Sequence, residues 1–348
     1  MITDYNLQIL IEPLLHWFAG HARVLPWREE PTPYRVWVSE IMLQQTRVEA
    51  VKPYFERFTK RLPDVEALAE CPEDELLKLW EGLGYYNRVR NMQKAAIQVM
   101  EEHGGKLPAD YEKLLKLKGI GSYTAGAIAS ICFERPAAAV DGNVLRVCAR
   151  VLDDATPIDN AAHKAALTAA LSACYPAGHC GDFTQALMEL GATVCGPNRA
   201  PQCADCPIAA LCLARAHGTA AALPVKAPKR AKRAEEHTVF CLRCGDRLAV
   251  ERRPDSGLLA GLWQLPNTPG LLDEQQAGAF ASGQGLGDVR LRSARDGKHI
   301  FTHIVWTMRC YTLECSAMPP QYRWAAPDEL RTEISLPTAF RQFLEDTC

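Results

Sequence analysis

No apolar run in the 348-residue chain approaches the length of a membrane span, for which about 20 consecutive apolar residues are needed. The first residues, Met-Ile-Thr-Asp-Tyr-Asn, lack the basic and then apolar regions of a secretory signal. A cytoplasmic location without a membrane partner is therefore expected. An excess of charge of one sign is missing too, since the formal net charge is -2. That sum argues only weakly against nucleic-acid binding, because Lys and Arg can gather on one face while acids balance them elsewhere. With 48% hydrophobic and 23% charged residues, the composition excludes a disordered or fibrous chain, and the length allows two or three domains with proper cores. Cysteine, by contrast, is plentiful. Fourteen cysteines in a chain without secretory signals point to metal ligation, with the remainder free and mostly buried.

As far as about Arg215 the pattern is helical almost throughout. Leu10, Ile11, Leu14, Leu15 and Phe18 form one stripe of a helix over 7–21. A second helix follows Tyr34, carries Val36, Trp37, Ile41 and Leu43, and is expected to stop or kink near Pro53. A third spans 72–80, with proline and acids in its first turn and Gly82 and Gly84 as stops. Further helices fit 91–103, 109–116, 122–132, 143–152, 161–171 and 181–193. After about Leu223 comes a basic, proline-punctuated run from Lys226 to Arg233, and then strand-like stretches from His237, Arg247 and His299, with a closing helix at 338–345. An all-α region followed by a separate α+β domain is the expected architecture.

Four features carry chemistry. Cys195, Cys203, Cys206 and Cys212 are separated by seven, two and five residues, a cluster that suits one tetrahedral thiolate site or an iron-sulfur cube; ligand type alone leaves zinc and iron open. Gly119-Ile120-Gly121 reads as a glycine turn before a small-residue helix whose N-terminal amides grip a phosphate, with Lys118 as a further phosphate contact. Glu40 sits four residues before Gln44 on a helix face bordered by Trp37, Ile41 and Leu43. A carboxyl in such apolar company is raised toward the range of a general acid, although a lone helical glutamate is ordinarily just exposed. Finally, Gly82-Leu83-Gly84-Tyr85-Tyr86-Asn87-Arg88 offers flexible backbone with aromatic wedges, which suits insertion into a base stack as readily as core packing.

These residues, together with Leu25-Pro26-Trp27-Arg28, Gln44-Gln45-Thr46 and Val140-Asp141-Gly142-Asn143, occur in an order that resembles the MutY-type adenine DNA glycosylases. The resemblance extends over nearly the whole chain and lies within the helix-hairpin-helix superfamily that includes endonuclease III. It implies a multidomain protein: an all-α helix-hairpin-helix glycosylase core with a [4Fe-4S] cluster domain, followed by an α+β Nudix-like C-terminal domain. The implied divisions are 1–24 with 136–222 for the cluster domain, 25–135 for a six-helix domain, 223–235 for a linker and 236–348 for the Nudix-like domain. The implied activity is excision of adenine opposite 8-oxoguanine or guanine in duplex DNA, by a monomer associated with the bacterial nucleoid. Glu40 would protonate the adenine, Asp141 would stabilise or capture the sugar cation, and Asn143 would orient Asp141. Gln44, Gln45 and Tyr85 would fill or wedge the stack, Gly119, Gly121, Lys118 and Arg199 would touch DNA, and Cys195, Cys203, Cys206 and Cys212 would hold the cluster.

Four details refine that implication. Superfamily members that also cut the backbone place a lysine where this chain has Tyr123, and a phenol cannot form a Schiff base; the expected enzyme cleaves the base and leaves the strand whole. An endonuclease III-like lyase and a non-catalytic iron-sulfur DNA-binding protein are the alternatives. The C-terminal segment lacks the paired glutamates with which Nudix hydrolases hold magnesium, so it reads as a recognition domain. Phe301-Thr302-His303 resembles the family's Phe-Ser-His loop for 8-oxoguanine, with threonine keeping the hydroxyl. The first cysteine gap is one residue longer than the family's spacing, which puts the phosphate contacts of the Arg199 loop in question.

Overall fold

The computed structural model describes residues 6–197, 200–228 and 231–344. The chain divides into two compact units, one comprising Met1–Cys71 with Asn87–Pro228 and the other Pro72–Tyr86 with Lys229–Cys348. Its helices run in order α1 Ile11–His21, α2 Pro26–Glu29, α3 Pro33–Leu43, α4 Val48–Arg61, α5 Val65–Glu70, α6 Glu73–Leu79, α7 Asn87–His103, α8 Tyr111–Lys116, α9 Ser122–Phe133, α10 Gly142–Val151, α11 Ala161–Ala173, α12 Cys180–Thr193 and α13 Leu213–His217. Among the described residues no helix is long and apolar enough to cross a membrane.

Local chemistry sets many of these boundaries. Thr32, Asp64, Asp110 and Asn160 each accept a hydrogen bond from a backbone N–H in the first turn of α3, α5, α8 and α11, satisfying donors that a helix start leaves bare. The helix after Tyr34 does not run on to Pro53. It ends at Leu43, and Pro53 lies inside α4 without breaking it. Pro53 and Glu49 are exposed, so water can satisfy the Glu49 carbonyl that loses its partner.

In the helical unit α9 is the hub. Its Thr124 to Ser130 are all buried, and small residues let its neighbours approach closely. A Cβ on Gly126 would lie 2.5 Å from the Ala138 carbonyl oxygen, one on Gly181 would lie 3.0 Å from Ile131 Cα in α9, and one on Gly191 would lie 2.6 Å from Asn143 Cβ in α10. Around α10 and α12 a core gathers Leu10, Leu14, Val144, Val147, Phe183, Leu187 and Leu190.

The second unit is built on a mixed sheet. Its strands are β1 Arg233–Cys244, β2 Arg247–Arg252, β3 Trp263–Gln264, β4 Asn267–Pro269, β5 Val289–Ile300, β6 Ile304–Cys315 and β7 Arg323–Ala325, with α14 Glu274–Ser282, α15 Pro327–Thr332 and α16 Thr338–Arg341. The order is β3-β2-β1-β6-β5, with β4 paired to β1 and β7 to β2. Among the described residues only β1 and β6 run parallel. The stretch read as strand from His299 onward contains a turn, because β5 ends at Ile300 and β6 starts at Ile304; Phe301-Thr302-His303 is therefore the tip of a hairpin. Segment 72–86, which the sequence places with the helices, packs in this unit instead. Lys78 Nζ donates to the carbonyls of Leu330 at 2.9 Å and Ile334 at 3.0 Å, and Leu336 N donates to Glu81 Oε1 at 2.7 Å.

Gly126→Ala pushes a methyl against backbone that cannot swing aside, which outweighs the gain in helix propensity, and is expected to destabilise the chain by about 1–3 kcal/mol. Gly20→Ala in α1 meets nothing within 4 Å and is expected to be neutral or stabilising by up to about 1 kcal/mol. Denaturant unfolding of both variants measures the contrast.

Candidate active site

Glu40 lies in the last part of α3 and is 6% exposed, with Trp37 and Val36 fully or almost fully buried one turn before it. Tyr123, in the first turn of α9, donates its hydroxyl to Glu40 Oε2. The two sequence-predicted residues thus meet across the α3–α9 seam. Burial pushes the Glu40 carboxyl up to about 7, against the Tyr123 hydrogen bond; the Asp141 carboxyl adds to the rise and Arg28 opposes it. Burial, with Glu40 and Asp141 nearby, also holds the Tyr123 phenol well above its ordinary value, so it stays a neutral donor at physiological pH.

Asp141 is the N-cap of α10. Its Oδ1 accepts from the backbone N–H of Asn143 at 2.9 Å and of Val144 at 2.8 Å, and Asn143 Nδ2 donates to Oδ2 at 2.7 Å. Burial raises the Asp141 carboxyl, while these three donors and Arg146 work to lower it. Asn143 is fixed in turn by Arg146 Nη2, which donates to Asn143 Oδ1 at 2.8 Å and to the Gly191 carbonyl at 2.6 Å. A capping carboxylate oriented this firmly cannot rotate freely, and the helix N-terminus favours its anionic form.

A third acid belongs to the same site and was not singled out in the sequence. Glu189 of α12 is 1% exposed. Arg28 Nη2 donates to its Oε2 at 2.9 Å, Arg23 Nη2 donates to the same oxygen at 3.1 Å, and Arg23 Nε is bonded to Oε1. Burial alone raises the Glu189 carboxyl, but the bonds and charges of the two arginines together outweigh it and leave it below its ordinary value. Arg28 links this group to Glu40 electrostatically. The available signal was an acid within the apolar stretch Leu187-Met188-Glu189-Leu190.

The hairpin between α8 and α9 is as the sequence suggests at Gly119, whose φ is +78° and whose added Cβ would lie 2.7 Å from Asn91 Cβ. Gly121 differs: its backbone is extended, and a Cβ there would meet nothing within 4 Å. No side chain caps α9 at Gly121, so the first amides of α9 are open to an anion. Gln44, Lys118 and Gly119 line one cavity of about 210 Å3 with Trp37, Ile41 and Arg88. Arg88 Nη1 donates to the Ile41 carbonyl at 2.7 Å and thereby holds the C-terminal end of α3; Gln45 follows with φ +65°. Ser122 also edges an open groove of about 1220 Å3 that presents Lys113, Arg135 and Lys164, a local basic field that the net charge conceals. Arg199 lies outside the described residues.

Cys195, Cys203, Cys206 and Cys212 line one cavity. Arg150 Nη1 donates to Cys195 Sγ at 3.1 Å and to the Cys195 carbonyl at 3.1 Å, and Cys212 Sγ donates to the Arg150 carbonyl at 3.3 Å. Four soft donors gathered about one space, with a guanidinium beside one of them, fit an anionic thiolate-bound group. Among the described residues no three His, Cys, Asp or Glu side chains are arranged to hold a single metal ion.

In the second unit, Thr302 and His303 are exposed at the hairpin tip. Phe301 instead turns inward, with its ring 4.9 Å from that of Trp306. Tyr85 and Thr302 share a hydrogen bond of 3.0 Å between their hydroxyls, and the tip is braced by Lys232 Nζ on the Phe301 carbonyl at 2.7 Å and by Arg233 N on the His303 carbonyl at 2.9 Å.

A helix-hairpin-helix unit in which the buried Glu40 carboxyl feels the half-buried Asp141 carboxyl, joined in sequence to a Nudix-like sheet, defines a DNA base-excision glycosylase. In keeping with this, the family model of the HhH-GPD superfamily of base excision DNA repair proteins matches residues 38–167, and that of the NUDIX domain matches residues 238–346. The chain is 36% identical to the adenine DNA glycosylase of Mus musculus, over 91% of this chain and 73% of that protein, and 35% identical to that of Homo sapiens, over 92% and 70%. Among solved structures it is similar to a thermostable thymine-DNA glycosylase, with a TM-score of 0.55 at 28% identity, covering 60% of this chain and 96% of that one. The chain belongs to the adenine DNA glycosylase family. It is a DNA N-glycosylase that acts on adenine in base excision repair.

The raised Glu40 carboxyl has a cost in stability. Below its ordinary value of 4.5 it is protonated in both folded and unfolded chains; between there and about 7 only the unfolded chain releases the proton, so stability falls across that window. The loss is on the order of 3 kcal/mol. Glu40→Gln is expected to gain that much relative to the parent protein between pH 4.5 and 8. Urea unfolding at both pH values tests this, and an equal gap at both would mean that Glu40 ionises as it does in water.

Proposed function

We propose that this enzyme removes adenine lying opposite 8-oxoguanine or guanine in duplex DNA and leaves the strand uncut. The observation that carries the proposal is the Glu40 carboxyl, raised to about 7 and bonded to a tyrosine hydroxyl. A carboxyl at that value is about half protonated at neutral pH, so it can donate a proton and later accept one. Once the adenine has been extruded from the stack, Glu40 donates its proton to N7. The N9–C1′ bond then breaks, its electron pair leaving with the base. Asp141, held by Asn143, offers its carboxylate to the developing sugar cation or captures it, and water deprotonated by Glu40 completes hydrolysis at C1′. Tyr123 supports the absence of strand cleavage, because its phenol has no amine with which to open the sugar.

Opposite-base selection is assigned to the hairpin tip, where the Thr302 and Tyr85 hydroxyls share a hydrogen bond. The open amides of α9, Lys118 and the cations of the neighbouring groove offer partners for phosphate, and Arg199 is assigned the same role. Cys195, Cys203, Cys206 and Cys212 are the residues that would hold a [4Fe-4S] cluster, which when bound supplies a covalent fastening for the loop between them. The enzyme is taken to act as a monomer in the bacterial cytoplasm, associated with the nucleoid.

On duplexes with adenine opposite 8-oxoguanine, guanine or thymine, followed by alkali, strand breaks are expected at the first two. Glu40→Gln is expected to lower the single-turnover rate by about 10²–10⁴ with DNA binding retained. Thr302→Ala is expected to cut the preference for 8-oxoguanine over guanine by about tenfold. Efficient borohydride crosslinking to abasic DNA would instead show a lyase, and full activity of Glu40→Gln would remove the assigned acid.

A further inference from the structure

Two thiols in the sheet have no part in base excision. β1 and β6 run parallel with Phe240 opposite Tyr311, Leu242 opposite Leu313 and Arg243 opposite Glu314. The next step, at the last residue of each strand, sets Cys244 opposite Cys315. Alternation along a strand puts both on the face that carries Phe240 and Tyr311, and both pack with that core cluster. Cys244 lies close enough to Cys315 to raise its thiol, while Cys315 Sγ donates to the Arg243 carbonyl at 3.0 Å. Neighbouring strands lie about 5 Å apart, inside the span of roughly 4.4–6.8 Å between the Cα atoms of a disulfide. Both residues end their strands, where the backbone has room to adjust.

We propose that Cys244 and Cys315 form an oxidation site that hydrogen peroxide closes to an intrachain disulfide. Cys244 is half-buried beside the exposed Gly245-Asp246 turn, whereas Cys315 is buried. Burial, with Cys244 alongside, also pushes the Cys315 thiol up to about 11, so Cys315 stays protonated and the half-buried Cys244 is the thiol that an oxidant meets first. The Cys244 sulfur, having lost its proton, attacks one peroxide oxygen; the O–O bond breaks, and a sulfenic acid and one water result. The Cys315 sulfur then attacks the Cys244 sulfur, the S–S bond forms, the S–O bond breaks, and the departing hydroxide takes the Cys315 proton as a second water. Two thiols lose two electrons and the peroxide gains them. Cys241 and Cys310 provide an internal contrast. They lie on the opposite face, paired with Thr312 and Val239, at 0% and 2% exposure, beyond the reach of an oxidant in the folded chain.

The test is brief exposure of the full-length protein to near-stoichiometric hydrogen peroxide, alkylation, and peptide mapping without reductant. A Cys244–Cys315 linked peptide is expected while Cys241 and Cys310 remain alkylatable only after denaturation, together with a rise of several degrees in the unfolding midpoint. Cys315→Ser is expected to leave a sulfenic acid on Cys244 that a dimedone probe captures. Adenine release is expected to be unchanged by either treatment or variant. Cys244 and Cys315 both recovered as free thiols, or Cys244 carried to the sulfinic acid without linkage, would overturn the proposal.

Discussion

The structure turns on a carboxyl that is denied water. Glu40 is closed into the α3–α9 seam, where leaving it charged would be expensive. The protein offsets part of that cost with a single donor, the Tyr123 hydroxyl, and arranges its remaining charges around the result. Asp141 acts on Glu40 from a helix N-terminus that favours its anion, so two carboxyls in one site have different environments. Arg28, shared between Glu189 and the field at Glu40, limits how far the proton is held.

That seam demands small residues. α9 can lie close to its neighbours only because Gly126 leaves room for the Ala138 carbonyl, and the α10 terminus that aims Asp141 fits only because Gly191 of α12 leaves room for Asn143. Close packing of this kind tolerates little displacement, which is how a fold of short helices keeps several side chains within hydrogen-bond tolerance. The sheet unit follows a different logic. α14 stands in the Nudix-like unit with Glu274 as its one acid, and the exposed Thr302 and His303 sit on a hairpin tip braced by the Lys232 side chain and the Arg233 amide.

Much of this was legible in the residues. Helical periodicity located most helices, the Gly119 turn declared itself through a backbone that side chains avoid, and the apolar company of Glu40 foretold its raised carboxyl. What escaped was non-local or depended on solvent. Pro53 was tolerated because the bond it removes faces water. Segment 72–86 carries a good local helix signal, yet its partners lie some 250 residues away, so no local pattern could reveal which unit it joins. The strand stretch from His299 hid a turn because its tip residues are aromatic and β-branched, and Phe301 proved to be an anchor for that turn. Glu189 was invisible as a site residue because its two arginines come from the other end of the helical unit's sequence.

The most direct measure of the central claim is the single-turnover rate of adenine release as a function of pH. If Glu40 must carry its proton into the reaction, the rate is expected to fall above about pH 7, approaching tenfold per pH unit. A rate that stayed level to pH 9 would contradict the assignment of the buried carboxyl as the acid.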